Sequence, residues 1–144
     1  MTNPKKTAIP KDLVIELHRI MCPGACPDYS VFVYGDGRIV YEGRRYVAVK
    51  GRREGRILGT RVKQLLDQFY KANYFSLKDR YDAIATDGAI TKTSIFADGK
   101  TKEVVNCYPS QAPEELYQLE KMIDEISQSG RWVRDQAGQP VLRA

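Results

Sequence analysis

With 144 residues, 42% of them hydrophobic and 28% charged, the chain has the length and composition of one globular domain with one core, and a second domain is not expected. Its net charge of +5 is confined: between positions 44 and 63, Arg44, Arg45, Lys50, Arg52, Arg53, Arg56, Arg61 and Lys63 stand against Glu54 alone, a local +7 that leaves −2 for the rest. That distribution argues against bulk electrostatics and points to one basic face meeting one acidic partner.

Positions 1–11 are polar, hold two prolines and follow no structural period, and so read as a flexible N-terminal arm. The arm lacks the apolar run of a signal peptide, and nothing later approaches a membrane span. A cytoplasmic setting, where thiols are kept reduced, is the resulting expectation. Positions 12–133 are expected to form a single domain, with 134–144 as a polar tail.

Ile15 and Leu17 alternate with Glu16 and His18, the period of a half-buried strand. Positions 29–34, rich in aromatic and β-branched residues, run through Gly35-Asp36-Gly37 into the alternating stretch 38–42. Asp-Gly between two such runs signals a hairpin with a type I′ turn, whose two central residues both take positive φ. Positions 46–50 supply a fourth strand. The period then changes, because Val62, Leu65, Leu66 and Phe69 fall at i, i+3, i+4 and i+7 of a helix, with Thr60 as its N-cap. Positions 75–90 read as a long ordered loop. Strands at 91–97 and 101–108 flank Asp98-Gly99, a second hairpin of the same turn chemistry. Pro113 takes the first position of a last helix, with Glu114 and Glu115 complementing its positive end, Leu116, Leu119, Ile123 and Ile126 as its apolar stripe, and Gly130 as its stop. Trp132 follows as an apolar anchor. The order, four strands, helix, two strands, helix, lacks strand-helix alternation. The expected fold is therefore α+β: an antiparallel sheet of about six strands with both helices on one face.

Cys22 and Cys26 enclose Pro23-Gly24-Ala25, and Pro-Gly suits a type II turn in which Gly24 takes positive φ. Such a turn lets the two sulfurs approach, while Pro27 forces Cys26 extended. A tight connection needs no chemistry, so a structural loop is the first reading. The alternatives are a thiol-redox pair, although the thioredoxin-type motif has two intervening residues and opens a helix, and a metal site, which needs two further ligands. Cys107 and His18 are the remaining Cys and His that could complete such a set. Cys107 alternates in phase with Val105 and reads as core, and His18 shares a face with Glu16 and reads as a solvated or hydrogen-bonded imidazole. No metal and no cofactor are expected. His18 is also the one histidine open to a nucleophile-base pair, with Cys22 as its nearest partner in sequence. Asp79, Asp82 and Asp87 lack the spacing of a calcium loop and read as turn caps. The basic run, with Tyr46 as its only aromatic, suits nucleic acid poorly. Its plain reading is a solvated face, and its sharper one a surface for an acidic partner.

The run Arg19-Ile20-Met21-Cys22-Pro23-Gly24-Ala25-Cys26-Pro27, followed by Tyr29, resembles a family of small bacterial domains of unknown function whose signature is an Arg followed shortly by Cys-x-Gly-x-Cys-Pro-x-Tyr and an Asp-Gly hairpin. The resemblance continues through Tyr41-x-Gly43, Val47-x-Val49-x-Gly51, Phe75-x-Leu77-x-Asp79-x-Tyr81, Thr86-Asp87 and Leu119-Glu120-x-x-Ile123-Asp124, covering 13–133. Members commonly carry a bulky aromatic where this chain has Pro23, and many look exported. The resemblance implies one fold unit and assigns no chemistry. The reading that follows is a non-enzymatic binding module presenting the 22–29 loop and the 44–63 surface to an acidic partner. The alternative is a thiol-redox or metal-binding protein using Cys22 and Cys26.

Overall fold

The computed structural model describes residues 8–20, 24–84 and 88–144. Alternation puts Ile15 and Leu17 of β1 (Val14–Ile20) out of solvent, while Glu16 and His18 stay half-buried on the other side. β2 (Asp28–Tyr34), β3 (Arg38–Arg45) and β4 (Gly51–Arg56) add in succession to one side of β1. After α1 (Gly59–Lys71) the chain builds the other side from β5 (Arg80–Tyr81), β6 (Ala89–Ala97) and β7 (Lys100–Tyr108), then ends in α2 (Glu114–Ser127) and α3 (Gly130–Val133). The sheet has seven strands in the order β4-β3-β2-β1-β6-β7-β5, antiparallel except where β5 lies parallel to β7.

Residues opposite each other in an antiparallel ladder share a face. The pairs Leu17↔Val31, Val31↔Tyr41, Ile15↔Ile95 and Thr93↔Val104 therefore align one apolar face across five strands. The stripes Val62, Leu65, Leu66 and Phe69 of α1 and Leu116, Leu119, Ile123 and Ile126 of α2 join that face in a single cluster. Both longer helices thus cover the same side, and each large apolar side chain removed from water there contributes roughly 1.5–3 kcal/mol. Among the described residues no helix covers the opposite face. Among the described residues no helix is long and apolar enough to cross a membrane.

The structure corrects the element list in four places. The fourth strand is 51–56 rather than 46–50. Tyr46, at φ 55°, turns the chain out of β3, Val47 enters the core, and the amides of Ala48 and Val49 donate to the carbonyls of Val133 and Trp132 at 3.0 and 2.8 Å. The alternation of Val47 and Val49 thus reports burial against the C-terminal segment and not a ladder. β4, with two glycines and four charged residues, has little intrinsic strand preference. It forms as an edge strand, where neither face has to be buried, and Gly55 leaves the space that the Arg131 guanidinium occupies.

Only one of the two Asp-Gly turns has the expected form. Asp98 and Gly99 both have positive φ, 52° and 74°, whereas in the first hairpin Gly37 alone does, at 93°. There the amide of Gly37 donates to the Tyr34 carbonyl at 2.9 Å, making a three-residue connection. The helix ends also move: Leu58 and not Thr60 is the N-cap of α1, Pro113 is the N-cap of α2 rather than its first residue, and Gly130 opens α3 instead of ending α2. Last, the stretch 75–90 is not all loop. A 3-10 turn (Tyr74–Ser76) and β5 interrupt it, and β6 begins at Ala89, giving seven strands where about six were expected. The arm expected at 1–11 lies outside the described residues as far as position 7. Ile9 packs against the core and Pro10 accepts a hydrogen bond from the Leu13 amide at 3.2 Å.

Gln128 closes α2 in the left-handed region, at φ 59°, a conformation that strains a side-chain-bearing residue by about 1 kcal/mol. Gln128→Gly is expected to raise unfolding free energy by about 0.5–1 kcal/mol in urea titrations; a loss of stability would show that the side chain holds something this geometry omits.

Candidate functional site

Arg19 continues the inward phase of Ile15 and Leu17, so β1 carries a guanidinium to the end of the buried face. Tyr29 is its partner across the ladder on β2, and α2 contributes Asp124, next to the core residue Ile123. Asp124 Oδ2 accepts from Arg19 Nε at 3.0 Å and forms an ion pair with Nη2 at 2.9 Å, and Oδ1 accepts from the Tyr29 hydroxyl at 2.8 Å and the Ser129 hydroxyl at 2.5 Å. Arg19 Nη1 donates to Thr91 of β6 at 3.1 Å. Burial first, and then the Asp124 charge, push the Tyr29 phenol well above its usual pKa. One helical turn back, Glu120 is only 5% exposed and accepts from Asn106 Nδ2 at 3.0 Å, while Asn106 Oδ1 accepts from Ser110. Burial raises the Glu120 pKa to about 7, against the lowering effects of the Asn106 hydrogen bond and the Arg19 charge. With three hydrogen bonds and the Arg19 ion pair on its two oxygens, Asp124 ties α2 to the sheet, and the cluster works as a clamp between them.

Beside the clamp lies a cavity of about 530 Å³, walled by Pro27, Val133, Pro140 and Val141, with Arg19 and Lys121 at its polar side. Pro27, at the end of the cysteine loop, lines this cavity. Gly24 has φ 130°, Cys26 is disulfide-bonded and Cys107 is a free, buried thiol. Cys22 and Pro23 lie outside the described residues, as do Thr86 and Asp87.

His18 sits on the helix-free face. Its Nε2 is 2.8 Å from Glu16 Oε1 and its Nδ1 is 2.6 Å from Ser30 Oγ, to which Arg44 Nη1 also donates at 2.9 Å. Donation to the carboxylate leaves Nδ1 of a neutral ring to accept from Ser30. Sequence spacing placed no serine near His18; Ser30 is its direct cross-strand partner, a neighbour made by register alone. The chain of Glu, His and Ser has the residue types of a nucleophilic triad. Ser30 is 2% exposed and covered by Arg44, so it presents no nucleophile to solvent. Among the described residues no group of three or more His, Cys, Asp or Glu gathers to hold a metal. Asp79 and Asp82 serve in ion pairs, with Lys102 and Arg80 at 2.7 and 2.6 Å, rather than as the turn caps expected of them.

The eight cations of 44–63 do not lie on one plane. Arg52 and Arg56 face the helix-free side, opposite Glu42 and Arg38, whereas Arg53, opposite Tyr41, faces the helix side. Arg44 pairs with Asp28 at 2.7 Å, Arg52 with Glu54 at 2.9 Å, and Lys63 with Asp67 at 3.7 Å. Arg61 donates to Gln64 at 2.7 Å. Arg45 lies over the Tyr46 ring, 5.3 Å from its centroid, and Arg56 donates to the Asp36 carbonyl at 3.2 Å. Among the described residues Arg45, Lys50, Arg53 and Arg56 form no ion pair with a carboxylate. Two cations that sequence counting left out join this rim: Arg38 through the β3–β4 register, and Arg131, whose guanidinium is 3.9 Å from the Trp132 ring centroid and lies over Gly55. Register could have suggested Arg38. Nothing local points to Arg131.

Fold and clamp together define an α+β scaffold in which a mostly antiparallel sheet is tied to its helices by a hydrogen-bonded polar centre. The chain belongs to the family described as domain of unknown function (DUF6438), whose model matches residues 13–127. The match contains the whole sheet, α1, α2 and the Arg19–Asp124 clamp apart from Ser129, and ends before α3. No curated protein matches the chain.

Proposed function

We propose that this chain is a non-enzymatic binding module that meets an acidic partner along the β3–β4 rim. One observation carries the reading: Arg45, Lys50, Arg53 and Arg56 are exposed around the outer strand of the sheet, and among the described residues none of them forms an ion pair with a carboxylate. Intramolecular pairing uses up the charge of Arg44 and Lys63, whereas these four keep their field for another molecule. Asp28, directly after Pro27, stands on the same rim, paired with Arg45 across the ladder.

The test is binding of a labelled polyglutamate peptide to the full chain over a salt series. Affinity is expected to fall steeply with salt, and Arg53→Glu/Arg56→Glu to weaken it roughly tenfold or more at low salt with the circular dichroism spectrum unchanged. Undiminished binding by that double variant would remove the rim from consideration.

A further inference from the structure

Resting on that reading, we infer that the acidic partner binds as an extended strand added to the outer edge of β4. β4 is the outermost strand, and among the described residues it pairs with β3 alone. Its pairing with β3 runs without interruption from Arg38↔Arg56 to Gly43↔Gly51, whereas the β2–β3 ladder carries an irregularity at Asp28/Tyr29. All six of its residues are exposed except Gly55, which is half-buried, and it contains no proline. The opposite edge of the sheet offers no comparable template, since β5 is two residues long. Gly51 opens the strand at φ 89° and the Arg52 carbonyl accepts from the exposed Arg53 side chain at 2.9 Å, which an incoming strand would displace; the unbroken ladder to β3 leaves the other outward main-chain donors and acceptors of 52–56 available to it.

The side chains say which strand. Arginines on both faces of β4 oppose pairing with a second copy of the same strand, where Arg would meet Arg across a new ladder. They favour an occupant of opposite charge. Arg52 and Arg56 on the helix-free face, with Glu54 between them, call for acid, base, acid at alternate positions of the partner. Arg53 on the other face calls for an acid there, and the Gly55 position, bordered by the Trp132 ring as well as by the Arg131 guanidinium stacked on it, takes an apolar residue. In antiparallel register this is the peptide Thr-Glu-Val-Lys-Glu-Glu-Thr. The same arginines would thus guard the edge against self-association and select its ligand.

The experiment compares this peptide with two forms of identical charge, each N-methylated on one of the two alternating sets of amides. Binding to the full chain is read by fluorescence anisotropy at low salt. An added strand turns one set of amides toward β4 and the other toward solvent. One methylated form is therefore expected to lose at least about tenfold in affinity and the other to keep it. Equal behaviour of the two forms, whether both bind or both fail, overturns strand addition. If both bind with steep salt dependence, the acidic-partner reading survives; if the unmodified peptide and polyglutamate both fail to bind, that reading falls as well. Tighter binding of a DNA duplex than of the unmodified peptide would give the edge to a different occupant and also overturn the inference.

Discussion

Glu120→Gln is expected to stabilise the protein at pH 8 and to leave its stability nearly unchanged at pH 4.5. The folded environment raises the Glu120 pKa from 4.5 to about 7, so between those values the native state holds a proton that the unfolded chain has released. Unfolding free energy then falls as pH rises through that window. The contribution is fully present below about 4.5 and lost above about 7, and a shift of this size corresponds to roughly 3 kcal/mol at most. Glutamine keeps an acceptor for Asn106 and never ionises, which removes the pH-dependent part. Arg19, Asp124 and Asn106 all face the carboxyl, and each remains in the variant. Urea titrations of both proteins from pH 4.5 to 8 should give curves that converge toward low pH. Parallel curves would mean that Glu120 ionises in the folded state as it does in water.

Asp124→Ala should be among the most damaging single changes. It leaves the half-buried Arg19 guanidinium without its counter-ion and strands the Tyr29 and Ser129 hydroxyls at once. Removing one partner of a buried ion pair typically costs about 3–5 kcal/mol, and because both side chains here keep some solvent contact we expect about 2–4 kcal/mol. The double variant Arg19→Met/Asp124→Leu, which removes both charges and keeps volume, should lose less than the sum of the single losses. Additive losses would show that the two residues stabilise the fold separately.

The clamp was legible in part. Arg19 and Tyr29 on one side, and Glu120 and Asp124 on the other, stand among the residues that carried the family resemblance, and Arg19 and Glu120 sit in or beside apolar stripes where a charge asks for a partner. No sequence spacing says that positions 19 and 124 meet. His18 shows the same limit: its face and its neighbour Glu16 follow from a period of two, but Ser30 comes to it only through the pairing of two strands.

From local periodicity alone the sequence determined the mixed α+β character, most strand and helix positions, the faces they bury and the location of both hairpins, because side-chain direction repeats every 2 or 3.6 residues whatever the rest of the chain does. Tertiary structure decided the remainder. It sent 46–50 to pair with the C-terminal segment, made a strand of the glycine- and arginine-rich 51–56, set β5 parallel to β7, and spread the basic run over both faces of an edge to which Arg38 and Arg131 also come. These outcomes depend on which distant backbone groups and charges find each other once the core has closed, a choice made by register and burial and carried by no single stretch of residues.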